Sequence, residues 1–144
     1  MQALGRQILV EFYDCDREVL NDAAAIRDIM VEGTRRSGAT IVTDAFHTFS
    51  PHGVSGVIVI AESHVTIHTW PEYGYAAVDV FTCGETIDPW VIQTHLEAGF
   101  GSKTASSMEL KRGLFPNAVP FKPADAPSYE THGDSSNVRE PVLG

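Results

Sequence analysis

Apolar and polar positions alternate through residues 5–13, GRQILVEFY, where β-branched and aromatic side chains predict a strand. The period then changes. Over residues 21–37, Ala25, Ile26, Ile29 and Met30 recur at helical spacing; Asn21 or Asp22 can cap the start, and Gly38 stops the helix. Residues 39–49 and 54–61 predict two strands joined by the Pro- and Gly-containing turn SPHG. Residues 64–70 and 75–83 predict two more, separated by a turn at Pro71, Glu72, Tyr73 and Gly74. A second helix is expected over 88–100, with Asp88 as N-cap and Pro89 at the first helical position, and a last strand over 102–111. Hairpin links replace the regular βαβ alternation, so the expected fold is α+β: a two-layer α/β sandwich, an antiparallel sheet with helices on one face. The folded domain is expected over 1–114. Residues 115–144 hold five of the eight prolines and little periodic hydrophobicity, and read as a peripheral or disordered C-terminal tail.

A length of 144 residues suits one domain, and 43% apolar against 20% charged residues suits a globular one. Ten basic and nineteen acidic residues leave a net charge of −9. Such a surface repels phosphate backbones and anionic lipid and favours a cationic small molecule, so neither nucleic acid nor membrane is expected as a partner. No run approaches the roughly 18–20 apolar residues that span a bilayer, and the start of the chain lacks the organisation of a signal peptide, which makes the cytoplasm the expected location. Cys15 and Cys83 are too few for a disulfide framework or a four-cysteine zinc site.

Candidate chemistry concentrates in residues 61–84, AESHVTIHTWPEYGYAAVDVFTCG, where a serine, two histidines, two glutamates and a cysteine fall on two strands and their turns. His64 and His68 would pair around a metal on a helix. On a strand their rings are about 13 Å apart along the chain, too far for one zinc ion, and no metal is expected. His47, His52, His95 and His132 are scattered and carry no readable signal, and Cys15 reads as structural.

The strings GRQILVEFYDCD, FHTFSPHGVSGVIVIAESHVTIHTWPEYGYAAVDVFTCG and ELKRG resemble the small bacterial and archaeal form of S-adenosylmethionine decarboxylase, from about Leu4 to Gly113. The resemblance implies a proenzyme that cuts itself between Glu62 and Ser63, giving chains 1–62 and 63–144. The Ser63 hydroxyl would convert the preceding peptide to an ester, and loss of the Ser63 α-proton would eliminate it, leading to a covalent pyruvoyl group. That group would serve as the electron sink, conjugated through a Schiff base, that an amino-acid decarboxylation requires. By family pattern His68 is the base in ester elimination, Ser55 supports it by hydrogen bonding, and Cys83 returns a proton to the α-carbon. An imidazole exchanges protons near neutral pH, and an ordinary thiol there is mostly protonated and can donate. The product would be S-adenosylmethioninamine, the aminopropyl donor of spermidine and polyamine biosynthesis.

If residues 63–68 are extended, Ser63 and His68 lie about 16 Å apart with opposite parity. A base must come within about 3 Å of its proton, so His68 is expected to reach the Ser63 of a second subunit. A two-fold homodimer of cleaved protomers would combine Ser63 and Cys83 of one copy with Ser55 and His68 of the other, in line with the family's dimeric assembly. Phe49 and Glu72 are candidate substrate contacts, an aromatic face for adenine and a carboxylate for both ribose hydroxyls. Phe49 could also face the sulfonium. Glu11 has two readings, a pocket carboxylate that complements a cationic substrate or a solvated or paired strand residue. Two other functions remain open: a pyruvoyl-dependent arginine or ornithine decarboxylase on the same fold, and a non-catalytic regulatory homologue.

Overall fold

The computed structural model describes residues 2–116. Six strands form one sheet, β1 (Gln2–Tyr13), β2 (Ile41–Thr48), β3 (Val54–Ile60), β4 (Ser63–Trp70), β5 (Tyr75–Cys83) and β6 (Thr104–Phe115), in the order β2-β3-β4-β5-β1-β6. Every neighbouring pair is antiparallel. Three helices, α1 (Arg17–Leu20), α2 (Ala23–Arg36) and α3 (Pro89–Gly99), complete the expected α+β sandwich.

Period-two alternation decides which face of the sheet is covered. On β1, Ile8, Val10 and Phe12 are buried, as are Val65 and Ile67 on β4 and Val78 and Val80 on β5. They meet Ile26 and Met30 of α2, Ile92 and Leu96 of α3, and Phe100 beyond it in one core. The two helices approach each other closely because small residues stand at their crossing. A Cβ on Gly33 would lie 3.1 Å from Leu96, and one on Gly99 would lie 2.5 Å from Ile29. Between the buried positions, Gln7, Leu9, Glu11, His64, Thr66, His68, Asp79 and Phe81 are only partly buried or exposed and share the face that no helix among the described residues covers.

Several elements differ in extent from those the sequence predicts. The first long helix begins at Ala23 with Asp22 as its cap, whose side chain accepts from the Ala25 N–H at 3.1 Å, and Asn21 closes a separate turn, α1, capped by Asp16. Asp88 caps α3 as expected. β1 begins at Gln2 and β6 continues to Phe115 because the two pair out to Gln2↔Phe115; Lys111, Arg112 and Gly113 do not end the strand. An edge strand bonded on one side tolerates charges turned to solvent. Beyond Pro116 the expected tail lies outside the described residues.

Candidate active site

The scissile junction predicted from the sequence falls in the β3–β4 hairpin. Ile60 pairs with Ser63, so only Ala61 and Glu62 form the turn. Glu62 has φ +70. Positive φ at the second turn residue is the pattern of a type II turn, which prefers glycine there, so a glutamate holds the backbone under strain. Ser63 opens β4 directly after it. The Ser63 hydroxyl donates to the Glu62 carbonyl oxygen at 2.5 Å, and Cys83 Sγ lies 3.4 Å both from that oxygen and from Ser63 Oγ. Cys83 is brought there by the β4–β5 pairing, in which His64 faces Phe81. Alternation alone would turn Ser63 toward the helices; at the first position after the turn its hydroxyl reaches the thiol instead.

A second cluster occupies the other end of β4. Ser55 on β3 is paired with His68 on β4, and Ser55 Oγ lies 2.7 Å from His68 Nδ1. A cavity of about 270 Å³ beside them is also lined by Phe49 and Glu72, and a neighbouring one of about 490 Å³ shares Phe49, Ser55 and His68. Phe49 is 45% exposed, its ring available to a ligand on this open face. Four of the sequence-selected residues therefore stand together, and Ser63, Glu62 and Cys83 stand together elsewhere. His68 contacts Ser55 and not Ser63, as extended geometry requires.

Glu11 joins neither group. It accepts a hydrogen bond from the Tyr75 hydroxyl, and Tyr75 is stacked between Tyr13 and Trp70. Burial and the neighbouring carboxylate push the Tyr75 phenol up to about 12. Midway along the open face, Asp79 accepts from Thr66 and from Gln7 Nε2 (2.7 Å) and sits 3.1 Å from His64 Nε2. Burial works to raise its pKa, but the bonds from Thr66, His64 and Gln7 outweigh it and hold the carboxyl below its ordinary value. Cys15 is buried, and burial pushes its thiol up, in keeping with an inert core residue. His52 had no sequence signal, yet it lines the smaller cavity with its Nε2 3.0 Å from Glu72 Oε2.

A family profile described as S-adenosylmethionine decarboxylase matches residues 6–113. The chain belongs to the S-adenosylmethionine decarboxylase family. Among its relatives, the S-adenosylmethionine decarboxylase proenzyme of Thermotoga maritima is 55% identical over 115 residues, 80% of this chain and 88% of that one. The proenzyme of Caldicellulosiruptor saccharolyticus is 56% identical over 119 residues, 83% and 96% of the two chains. The crystal structure of the adenosylmethionine decarboxylase from Aquifex aeolicus superposes with a TM-score of 0.76 at 28% identity, covering 83% of this chain and 99% of that one. The profile of this decarboxylase family takes in both clusters, from Phe49 to Cys83, and ends two residues short of the end of β6.

Proposed function

We propose that this chain is a self-processing, pyruvoyl-dependent decarboxylase of S-adenosylmethionine, cut between Glu62 and Ser63, whose sites form between two copies. The observation that supports it best is the Glu62–Ser63 junction: a strained turn, a serine hydroxyl 2.5 Å from the carbonyl oxygen before it, and a thiol 3.4 Å from both. These residues fit a pyruvoyl group made from Ser63, since nucleophile, target carbonyl and proton donor are already adjacent.

Processing follows from that geometry. Ser63 Oγ adds to the Glu62 carbonyl carbon, the C–N bond breaks, and Glu62 becomes esterified to the serine side chain with the Ser63 nitrogen now an amine. The strain at Glu62, of order 1–3 kcal/mol for a non-glycine residue held in a sparsely populated region, is released in this step. The Cys83 thiol can donate to the charge that builds on the carbonyl oxygen. A base then removes the Ser63 α-proton, the ester C–O bond breaks, and Glu62 leaves as a carboxylate. His68 suits this proton transfer in the tautomer whose Nδ1–H donates to Ser55 Oγ, which leaves the Nε2 lone pair to take the proton. Water releases ammonia from the dehydroalanine that remains and completes the keto end.

When in place, the pyruvoyl group supplies a carbonyl for the substrate amine and a conjugated acceptor for the electrons released with carbon dioxide. The chain's own residues do the rest. Phe49 offers its face to adenine, Glu72 accepts the ribose hydroxyls, and Cys83 returns a proton to the α-carbon. The net charge of −9 draws a sulfonium toward the site.

Two copies are needed because His68 lies five residues from Ser63 along an extended strand, about 16 Å. The uncovered sheet face, which carries Ser55 and His68, is the surface through which a partner would approach. Substrate identity is tested by release of carbon dioxide from carboxyl-labelled S-adenosylmethionine, ornithine and arginine. Release from the first alone is expected and should vanish in Ser63→Ala; turnover of a basic amino acid without S-adenosylmethionine would refute the assignment.

A further inference from the structure

Glu72 sits in a short 3-10 turn, Pro71–Tyr73, that is fixed from behind. Gly74 closes it with φ +61, its N–H donating to the Pro71 carbonyl at 3.1 Å, and its own carbonyl accepts from the Cys15 N–H at 2.9 Å. Facing it is a second fixed turn. Phe49 N–H donates to the Gly53 carbonyl at 2.8 Å, Gly53 N–H to Asn21 Oδ1 at 3.0 Å, and Val54 N–H to the buried Thr69 hydroxyl at 2.9 Å. Gly53 has φ +107, which a side chain would oppose. His52 projects from this anchored turn and places Nε2 3.0 Å from Glu72 Oε2. The pair lines both the cavity that holds Phe49, Ser55 and His68 and a second one of about 420 Å³ lined also by Arg17, Glu18 and Asn21.

A glutamate side chain rotates about three bonds, and an untethered one samples several rotamers, most of which would not present both oxygens to a pair of vicinal hydroxyls. A contact from Nε2 to one oxygen restricts that freedom and still leaves acceptor sites on both, because an ionised carboxylate offers about four lone-pair positions. We infer that His52 is a positioning residue that holds the Glu72 carboxylate in the orientation that receives the substrate's ribose hydroxyls. This inference rests on the reading of Glu72 as a ribose contact. The anchors are Cys15 just beyond β1, Asn21 at the C-cap of α1 and Thr69 on β4, so the pair is set before substrate arrives.

The test is steady-state kinetics of the full-length, self-processed protein. His52→Ala should cleave completely and keep kcat within about two-fold, while KM for S-adenosylmethionine rises about five-fold, the size expected for losing one partly exposed charged contact. Because the contact is made through Nε2, His52→Gln should restore most of the affinity and His52→Asn, whose amide is shorter, should behave like His52→Ala. A competitive S-adenosylmethionine analogue lacking both ribose hydroxyls should inhibit wild type and His52→Ala equally. In a Glu72→Gln background, His52→Ala should add nothing further. An unchanged KM in His52→Ala, equal behaviour of the Gln and Asn variants, or a KM effect that persists beside Glu72→Gln would each overturn the role given to His52. If Glu72→Gln itself leaves KM untouched, the reading of Glu72 fails first and takes this inference with it.

Discussion

In the proposed reaction Cys83 serves two steps from one position. Its thiol stands 3.4 Å from the carbonyl oxygen of the group that Ser63 attacks, and the same atom is the proton donor assigned to turnover. Removing it leaves the serine beside its target, so Cys83→Ala should still cleave, more slowly, while carbon dioxide release per cleaved chain falls by about 10²–10⁴, the usual worth of a positioned acid. Quantifying cleavage by gel and turnover in the same preparation separates the two; equal losses would contradict a separate role in turnover. Asp79 gives a prediction of a different kind. Its folded pKa lies below the ordinary value, so it stabilises the protein above about pH 4 and loses that contribution as pH falls through the folded value. The Tm difference between wild type and Asp79→Asn should therefore be largest near neutrality and shrink below about pH 4. A difference constant with pH would mean that the bonds from Thr66, His64 and Gln7 do not act through the ionised carboxylate.

The turn at Ala61 and Glu62 shows what an element contributes that no single residue does. Ser63 is an ordinary strand serine until a two-residue hairpin sets positive φ at Glu62 and presses the hydroxyl against the preceding carbonyl. In the uncleavable Ser63→Ala background, Glu62→Gly should raise Tm by a few degrees by relieving that conformation. In the cleavable chain the same change should slow processing. A lower Tm would show that the turn is not strained. Much of this was legible in the sequence: alternation and turn residues marked every strand, and Asp88–Pro89 marked the start of α3. The separate turn α1 was not, because its four residues are too few to show a helical period, and Asn21 and Asp22 both read as caps of one longer helix. Ser63, Cys83, Ser55 and His68 were selected by motif, and extended geometry alone separated Ser63 from His68. His52 escaped because an isolated histidine in a turn has no pattern, and its contact with Glu72 joins residues from two turns that only the folded sheet brings together.

Among the described residues, helices cover one sheet face and none covers the other, which carries Ser55, His68 and the Asp79 network. No helix among the described residues is long and apolar enough to cross a membrane. If sites are shared between copies, a Ser63→Ala chain supplies a working His68 to a His68→Ala chain whose serine is intact. Co-expression of the two should therefore restore cleavage of the His68→Ala chain, which stays whole alone; no restoration would place both residues of a site on one protomer. In the proposed enzyme the functional protein is broken at Glu62–Ser63 and its serine has become a ketone. Intact mass spectrometry of fully active protein tests this most directly. Two chains are expected, 1–62 and 63–144, with the second carrying a keto group at its first residue in place of the serine amine and hydroxyl; a single chain of 15.7 kDa, or a second chain beginning with an unmodified serine, would contradict it.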